Sequence, residues 1–267
     1  ANAERFVTES KITARLSHLG IPPLHALGTL EDGRPFLAMK LIRGRTLAEL
    51  LRDQGGPAQE LSRFIQVFEQ IAQAVGFAHS RGIIHRDLKP LNIMVGEFGE
   101  VQVMDWGLAK DLQGSDPERA KERPDGAGDA HQTAAGAIMG TPSYMSPEQA
   151  RGHPVDARTD VFSLGAILAT ILTGKPPFTG TTVRETISMA ARAELADVRE
   201  RLARCGADAE LIALALRCLA AEPEARPDDA PAVAGLAAAY RDGLEARLRQ
   251  AETEKTEAPV RGPEQRI

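Results

Sequence analysis

The chain has 267 residues, of which 43% are hydrophobic and 26% charged, and it carries a formal net charge of −5. This is enough chain for a good core in two subdomains, and the negative balance offers nothing to a nucleic-acid backbone. The longest apolar run, Leu164 to Leu172, falls far short of the ~20 residues that a membrane span needs. No membrane contact is therefore expected within the chain. Cys205 and Cys218 lack metal-ligand spacing and neighbouring histidines, so they read as reduced thiols and imply a cytoplasmic location. No signal peptide is visible, and a first residue other than methionine suggests a piece of a longer protein, whose remainder can include a membrane anchor.

In chain order, Phe6, Ile12, Leu16 and Leu19 recur at helical spacing and predict a first helix, stopped by Gly20 and Pro22-Pro23. Leu24 to Leu30 and Pro35 to Met39 form a strand pair around the turn Glu31-Asp32-Gly33. Thr46 and Glu49 make a capping box that opens a short helix. Leu61, Phe64, Ile65, Phe68, Ile71, Ala72 and Val75 then mark one apolar face of a long helix. A short strand at Ile83-Ile84 leads into a loop, and the apolar strand Ile93 to Val95 returns through Gly96 to Gly99 into Val101, Val103 and Met104.

Asp111 to Gln132 is polar throughout and is expected to be disordered until modified. Val161 to Thr173 is apolar nearly all round, which suits a helix at the centre of a helical lobe. A second capping box, Thr182 with Glu185, precedes another helix, and Leu211, Leu214, Ala215 and Cys218 outline a further one. Val233, Leu236, Tyr240, Leu244, Leu248 and Ala251 predict a last helix. From residue 241 it is read as a solvated linker, with a coiled-coil stalk as the sharper competing reading.

The chemistry concentrates in Ile84-His85-Arg86-Asp87-Leu88-Lys89-Pro90-Leu91-Asn92 and Asp105-Trp106-Gly107. Asp87 is a carboxylate able to take a hydroxyl proton, and Lys89 a cation able to neutralise a phosphoryl oxygen. Asn92 and Asp105 are oxygen ligands suited to magnesium, placed at the ends of neighbouring strands. These are the parts of a phosphoryl-transfer site.

With these motifs the chain resembles the protein kinases, and among them the bacterial eukaryotic-like serine/threonine kinases. Gly140-Thr141-Pro142-Ser143-Tyr144-Met145-Ser146-Pro147-Glu148 matches the end of an activation segment, Asp160 to Gly165 the start of the large buried helix, and Pro223 to Pro227 the motif whose arginine is Arg226. The likeness runs from about residue 4 to residue 240. It implies an α+β, protein-kinase-like fold: a mostly helical lower lobe over residues 44–240, an incomplete upper lobe over 1–43 that lacks its first strands, and a charged helical tail over 241–267.

The resemblance implies that Asp87 is the catalytic base, Lys89 a phosphate contact, and Asn92 and Asp105 the ligands of Mg2+ bound with ATP. Met39 falls at the gatekeeper position, and Lys40, Leu41 and Ile42 form the hinge that meets adenine. Glu9 matches the glutamate that clasps the nucleotide-binding lysine. His85 is expected to hold the loop from the core, Trp106 with Gly107 to pack between the lobes, and Asp160 to anchor catalytic-loop backbone. Glu148 and Arg226 form a structural ion pair by the same resemblance. Arg86 is positioned to receive a phosphate, with Thr133 the first candidate phosphosite, and Thr141 is expected to touch the catalytic loop.

The expected activity is transfer of the ATP γ-phosphoryl to serine or threonine hydroxyls of protein substrates, with self-association through the activation segment or the last helix. The glycine-rich loop and lysine strand of a complete kinase lie outside this chain, which leaves it inactive by itself on this reading. Leu37 to Lys40 imitates the lysine strand, but too few residues separate Lys40 from His85. Gly96 to Val101 imitates the glycine-rich loop, but it follows the catalytic loop and reads better as a turn. The competing reading is a kinase-like regulatory or scaffolding module without catalysis.

Overall fold

The computed structural model describes residues 10, 12–54, 60–112 and 141–257. Two strands, β1 (Leu24–Thr29) and β2 (Pro35–Met39), form an antiparallel hairpin in which Leu27 faces Leu37 and Gly28 faces Phe36. Gly33 closes the turn with φ of 83°, a conformation that costs glycine least. The segment ahead of the hairpin departs from expectation. Its described helical turn ends at Ala14, and Leu19 is fully exposed while Leu16 and Ile21 are buried. The chain from Leu16 to Ile21 is instead docked as a loop: Gly20 accepts a hydrogen bond from the Val103 amide at 2.8 Å, so an edge strand of the lower lobe takes the backbone that a helix would have consumed.

The lower lobe is built on helices. α1 (Leu47–Asp53) starts at Thr46 with both halves of the capping box made: the Glu49 amide donates to Thr46 Oγ1 at 3.2 Å, and Glu49 Oε2 accepts from the Thr46 amide at 2.8 Å. α2 (Leu61–Ser80) buries Phe64, Ile65, Phe68, Ile71, Ala72 and Val75, the face that its periodicity marks. α4 (Ala157–Thr173), preceded by the single turn α3 (Pro147–Ala150), is buried from Thr159 to Leu172 and stops at Gly174, whose φ of 75° lets its amide bond back to Thr170 O. Around it lie α5 (Val183–Ala191), α6 (Ala196–Arg204), α7 (Ala209–Cys218) and α8 (Ala230–Glu257). At α5 the expected capping box is half made. Thr182 accepts from the Glu185 amide, but the Glu185 carboxylate turns to the amide and hydroxyl of Thr181, one residue upstream.

α4 and α7 approach closely at Gly165, where an added Cβ would lie 2.5 Å from Cys218 Cβ and 3.1 Å from Cys218 C. Backbone cannot yield as a flexible side chain can, so Gly165→Ala is expected to lower unfolding stability by about 1–3 kcal/mol despite alanine's better helix propensity. Urea denaturation of the two proteins measures it. Both cysteines are free thiols, and burial pushes that of Cys218 up to about 12. α8 runs through residues 240 and 241 without a break; Tyr240 is buried and Leu244 half-buried, so the tail expected from 241 begins as part of the packed helix.

Small sheets frame the loop between these helices. β3 (Arg45–Thr46), β5 (Ile93–Val95) and β6 (Val101–Val103) pair antiparallel in the order β3-β5-β6, and β4 (Ile83–Ile84) pairs with β7 (Lys110–Asp111). The β5–β6 connection is the turn read from Gly96 to Gly99, closed by hydrogen bonds from the Gly96 amide to Glu100 O and from the Gly99 amide to Gly96 O, with Gly99 at φ of 84°. Among the described residues no helix is long and apolar enough to cross a membrane.

Candidate active site

Between β4 and β5 the backbone runs as a loop that ends in one 3-10 turn, Pro90–Asn92. Its two turning points are held from beneath. Asp160, wholly buried on α4, accepts the His85 amide at 2.7 Å and the Arg86 amide at 2.8 Å, and Arg86 sits at a positive φ of 67°. Burial alone would push the Asp160 carboxyl up; hydrogen bonds from His79 and His85 more than reverse this and hold it below the usual carboxylate range. Gln149 from α3 donates to Arg86 O at 2.8 Å, closing the loop's other side.

His85 is completely buried and joins the loop to the hairpin behind it. Its Nδ1 accepts the Asp87 amide at 3.2 Å, so the proton belongs on Nε2, which reaches Met104 O at 3.0 Å. The Trp106 ring lies against it with centroids 4.6 Å apart, and its Nε1 donates to Val103 O. Trp106 is therefore core, packed under the loop. The Met104 amide bonds to Asn92 O at 2.7 Å, which ties the end of β6 to the start of β5.

This scaffold brings Asp87, Lys89 and Asn92 together. Lys89 Nζ lies 2.7 Å from Asp87 Oδ2, and Asn92 Nδ2 donates to Asp87 O at 2.9 Å and to Oδ2 at 3.3 Å. The Thr141 amide reaches Asp87 Oδ1 at 3.3 Å from the far side of the activation segment. Three donors thus orient one carboxylate, whose side chain is only 10% exposed, and Oδ1 keeps a lone pair for a hydroxyl proton. Asp105 follows β6 at φ of 58°; its carboxylate is exposed and receives only a long contact from the Gly107 amide at 3.4 Å.

The donor set fits a hard divalent cation shared with a ligand. Asn92 spends its amide nitrogen on Asp87, which leaves its Oδ1 available as a ligand, and among the described residues the Asp105 carboxylate receives only the long Gly107 contact. Among the described residues no cluster of three or more His, Cys, Asp or Glu side chains could hold a metal ion.

Glu148 and Arg226 meet in a two-pronged ion pair. Arg226 Nη1 and Nη2 lie 2.8 and 2.9 Å from the two carboxylate oxygens, and its guanidinium also donates to the carbonyls of Arg158, Ala220 and Ala221 and lies 5.0 Å over Phe162. All five of its donors are used. Met39 and Leu41 are exposed at the exit of β2, and the Lys40 amide bonds to Pro23 O, holding the hairpin's open end. Glu9 and Thr133 lie outside the described residues. His79, which donates to Asp160 from the end of α2, was missed in the sequence reading, since a histidine at a helix end carries no local signal of a partner 81 residues away.

This arrangement defines the protein kinase lower lobe with its catalytic loop. Residues 1–235 match the protein kinase domain model, and the chain belongs to that family. Its relatives place it with the bacterial eukaryotic-like serine/threonine kinases. It is 38% identical over 226 residues to the serine/threonine-protein kinase PknB of Mycobacterium tuberculosis, covering 83% of this chain and 33% of that protein. It is 41% identical over 179 residues to PknB of Mycolicibacterium smegmatis, 66% of this chain and 26% of the relative. Over 183 residues it is 39% identical to the DNA damage-responsive serine/threonine-protein kinase RqkA of Deinococcus radiodurans, 67% of this chain and 25% of the relative. The chain spans at most about a third of the length of these relatives. Each of these relatives is named a serine/threonine-protein kinase, and the family as a whole uses ATP and a divalent metal.

Proposed function

We propose that the protein containing this chain transfers the γ-phosphoryl of ATP to serine or threonine hydroxyls of protein substrates, in the cytoplasm. The observation that carries this is the Asp87 carboxylate, oriented by Lys89, Asn92 and the Thr141 amide with one oxygen lone pair left over. Asp87 takes the proton of the acceptor hydroxyl and sets its angle of attack. Lys89, 2.7 Å from that carboxylate, is placed to share its charge with the transferring phosphoryl oxygens. Asn92 and Asp105 hold magnesium, which when bound neutralises the phosphate oxygens. Backbone at Lys40, Leu41 and Ile42 meets the adenine, with Met39 beside it at the gatekeeper position. The division into residues 1–43, 44–240 and 241–267 is part of the same reading.

The full-length protein, incubated with γ-labelled ATP, Mg2+ and a generic protein acceptor, should place label on phosphoserine or phosphothreonine and lose that activity on chelation of the metal. Label confined to phosphotyrosine, or none at all with both substrates bound, would reject the assignment.

A further inference from the structure

α8 is joined to the rest of the molecule by several side-chain and backbone bonds, and one of them leads to the catalytic loop. The amide of Ala230, the first residue of α8, donates to His79 Nδ1 at 3.2 Å. The opposite nitrogen of the same ring, Nε2, lies 2.9 Å from Asp160 Oδ2. With Nδ1 accepting, the ring proton sits on Nε2, and the ring is a one-way link from the α8 backbone to the carboxylate that holds the His85 and Arg86 amides. His79 is 3% exposed and Asp160 fully buried, so water cannot replace either bond.

The helix has little room to move beside that ring. One turn before His79, an added Cβ at Gly76 would lie 3.1 Å from Pro231 Cγ and Cδ. Further along, Arg241 Nη1 lies 2.8 Å from Glu69 Oε2, a carboxylate 6% exposed that Gln73 also contacts at 3.0 Å. Tyr240 and Arg247 reach Asp208 at the start of α7. The family match ends at residue 235, yet α8 continues unbroken to Glu257. The helix that carries the chain out of the domain is therefore clamped to α2 at both ends of their contact.

We propose that His79 is a positioning residue that couples α8 to the catalytic loop, so that the seating of α8 sets how firmly Asp160 holds the His85 and Arg86 amides. The coupling rests on the kinase reading for its effect on rate, but its structural arm does not. Any partner or domain that shifts α8 acts on phosphoryl transfer through this ring.

A double-mutant cycle in the full-length protein tests the idea, with kcat, KM for ATP and hydrogen exchange of the His85 and Arg86 amides as readouts. His79→Phe keeps the ring's bulk and removes both bonds. The pair Glu69→Gln with Arg241→Met loosens α8 about 15 Å away along α2 without stranding a buried charge. His79→Phe is expected to lower kcat about tenfold and to speed exchange of the two amides by a similar factor, with KM for ATP held. The remote pair should lower kcat about threefold alone and have no further effect in the His79→Phe background. His79→Gln, which keeps a donor toward Asp160, should recover most of the rate.

Multiplying effects of the two changes, or unaltered amide exchange in both, would overturn the coupling. A His79→Phe protein that does not fold leaves the remote pair and His79→Gln to decide it. A wild-type protein with no transferase activity would refute the functional assignment, while the amide-exchange cycle would still judge the coupling.

Discussion

Replacing Asp87 by asparagine is expected to lower kcat about a thousandfold and to leave KM for ATP within about threefold, the signature of an interaction made only in the transition state. The geometry explains both parts. In the native loop the carboxylate accepts from Lys89, Asn92 and the Thr141 amide. An asparagine has one oxygen for these donors, and its NH2 group meets either the Lys89 ammonium or the Thr141 amide, each of which can only donate. No proton acceptor remains for the substrate hydroxyl, and Lys89 loses the charge that holds it. The loop itself stays, because Asp160, His85 and Gln149 fix its backbone without using the Asp87 side chain. Steady-state kinetics of the full-length protein, with nucleotide binding measured separately, checks the split. An Asp87→Asn protein retaining more than a tenth of the rate would remove Asp87 from the role of base.

The second large effect is on stability. Arg226→Ala should cost about 3–5 kcal/mol, because it leaves the Glu148 carboxylate buried without its cation, held only by neutral donors such as the Thr159 and Ser146 hydroxyls. Against the roughly 5–15 kcal/mol that holds a domain together, that is a large share. Acid dependence distinguishes this cause from lost packing. Burial pushes the Glu148 carboxyl up, and the hydrogen bonds and charge of Arg226 more than offset it, so the folded value lies below the ordinary one.

A depressed carboxyl stabilises the fold fully above its unfolded value of about 4.3 and loses that contribution as pH falls through the lower folded value. Without Arg226 the upward push of burial meets only neutral hydrogen bonds from Ser146 and the backbone, so the folded protein takes up a proton more readily than the wild type. Urea titrations between pH 7 and 3 should show the gap between wild type and Arg226→Ala narrowing with acid. A gap that stays constant would mean that packing over Phe162, not the ion pair, carries the loss.

Much of the fold was legible because its signals are local. The faces of α2 and α4 follow from apolar spacing, the turn at Gly96 to Gly99 from glycines between two apolar runs, and the start of α1 from a threonine and a glutamate three residues apart. Local signals also misled. Leu16 and Leu19 continue a helical period, but the backbone past Ala14 is claimed by the Val103 amide, and Leu19 points to solvent. Thr182 and Glu185 have capping-box spacing, but a second threonine at 181 competes for the carboxylate and wins it.

The amino-acid sequence by itself determined which groups are available: a carboxylate, a cation and two oxygen donors within one loop and hairpin, where neighbours along the chain are neighbours in space. The tertiary structure decided what holds and aims them. Asp160 beneath the loop, His79 between Asp160 and α8, the Thr141 amide on Asp87, and Arg226 on Glu148 all join residues more than 50 positions apart. No period or spacing encodes such pairs. They exist because burial in a common core leaves each polar group no partner but the one the fold supplies.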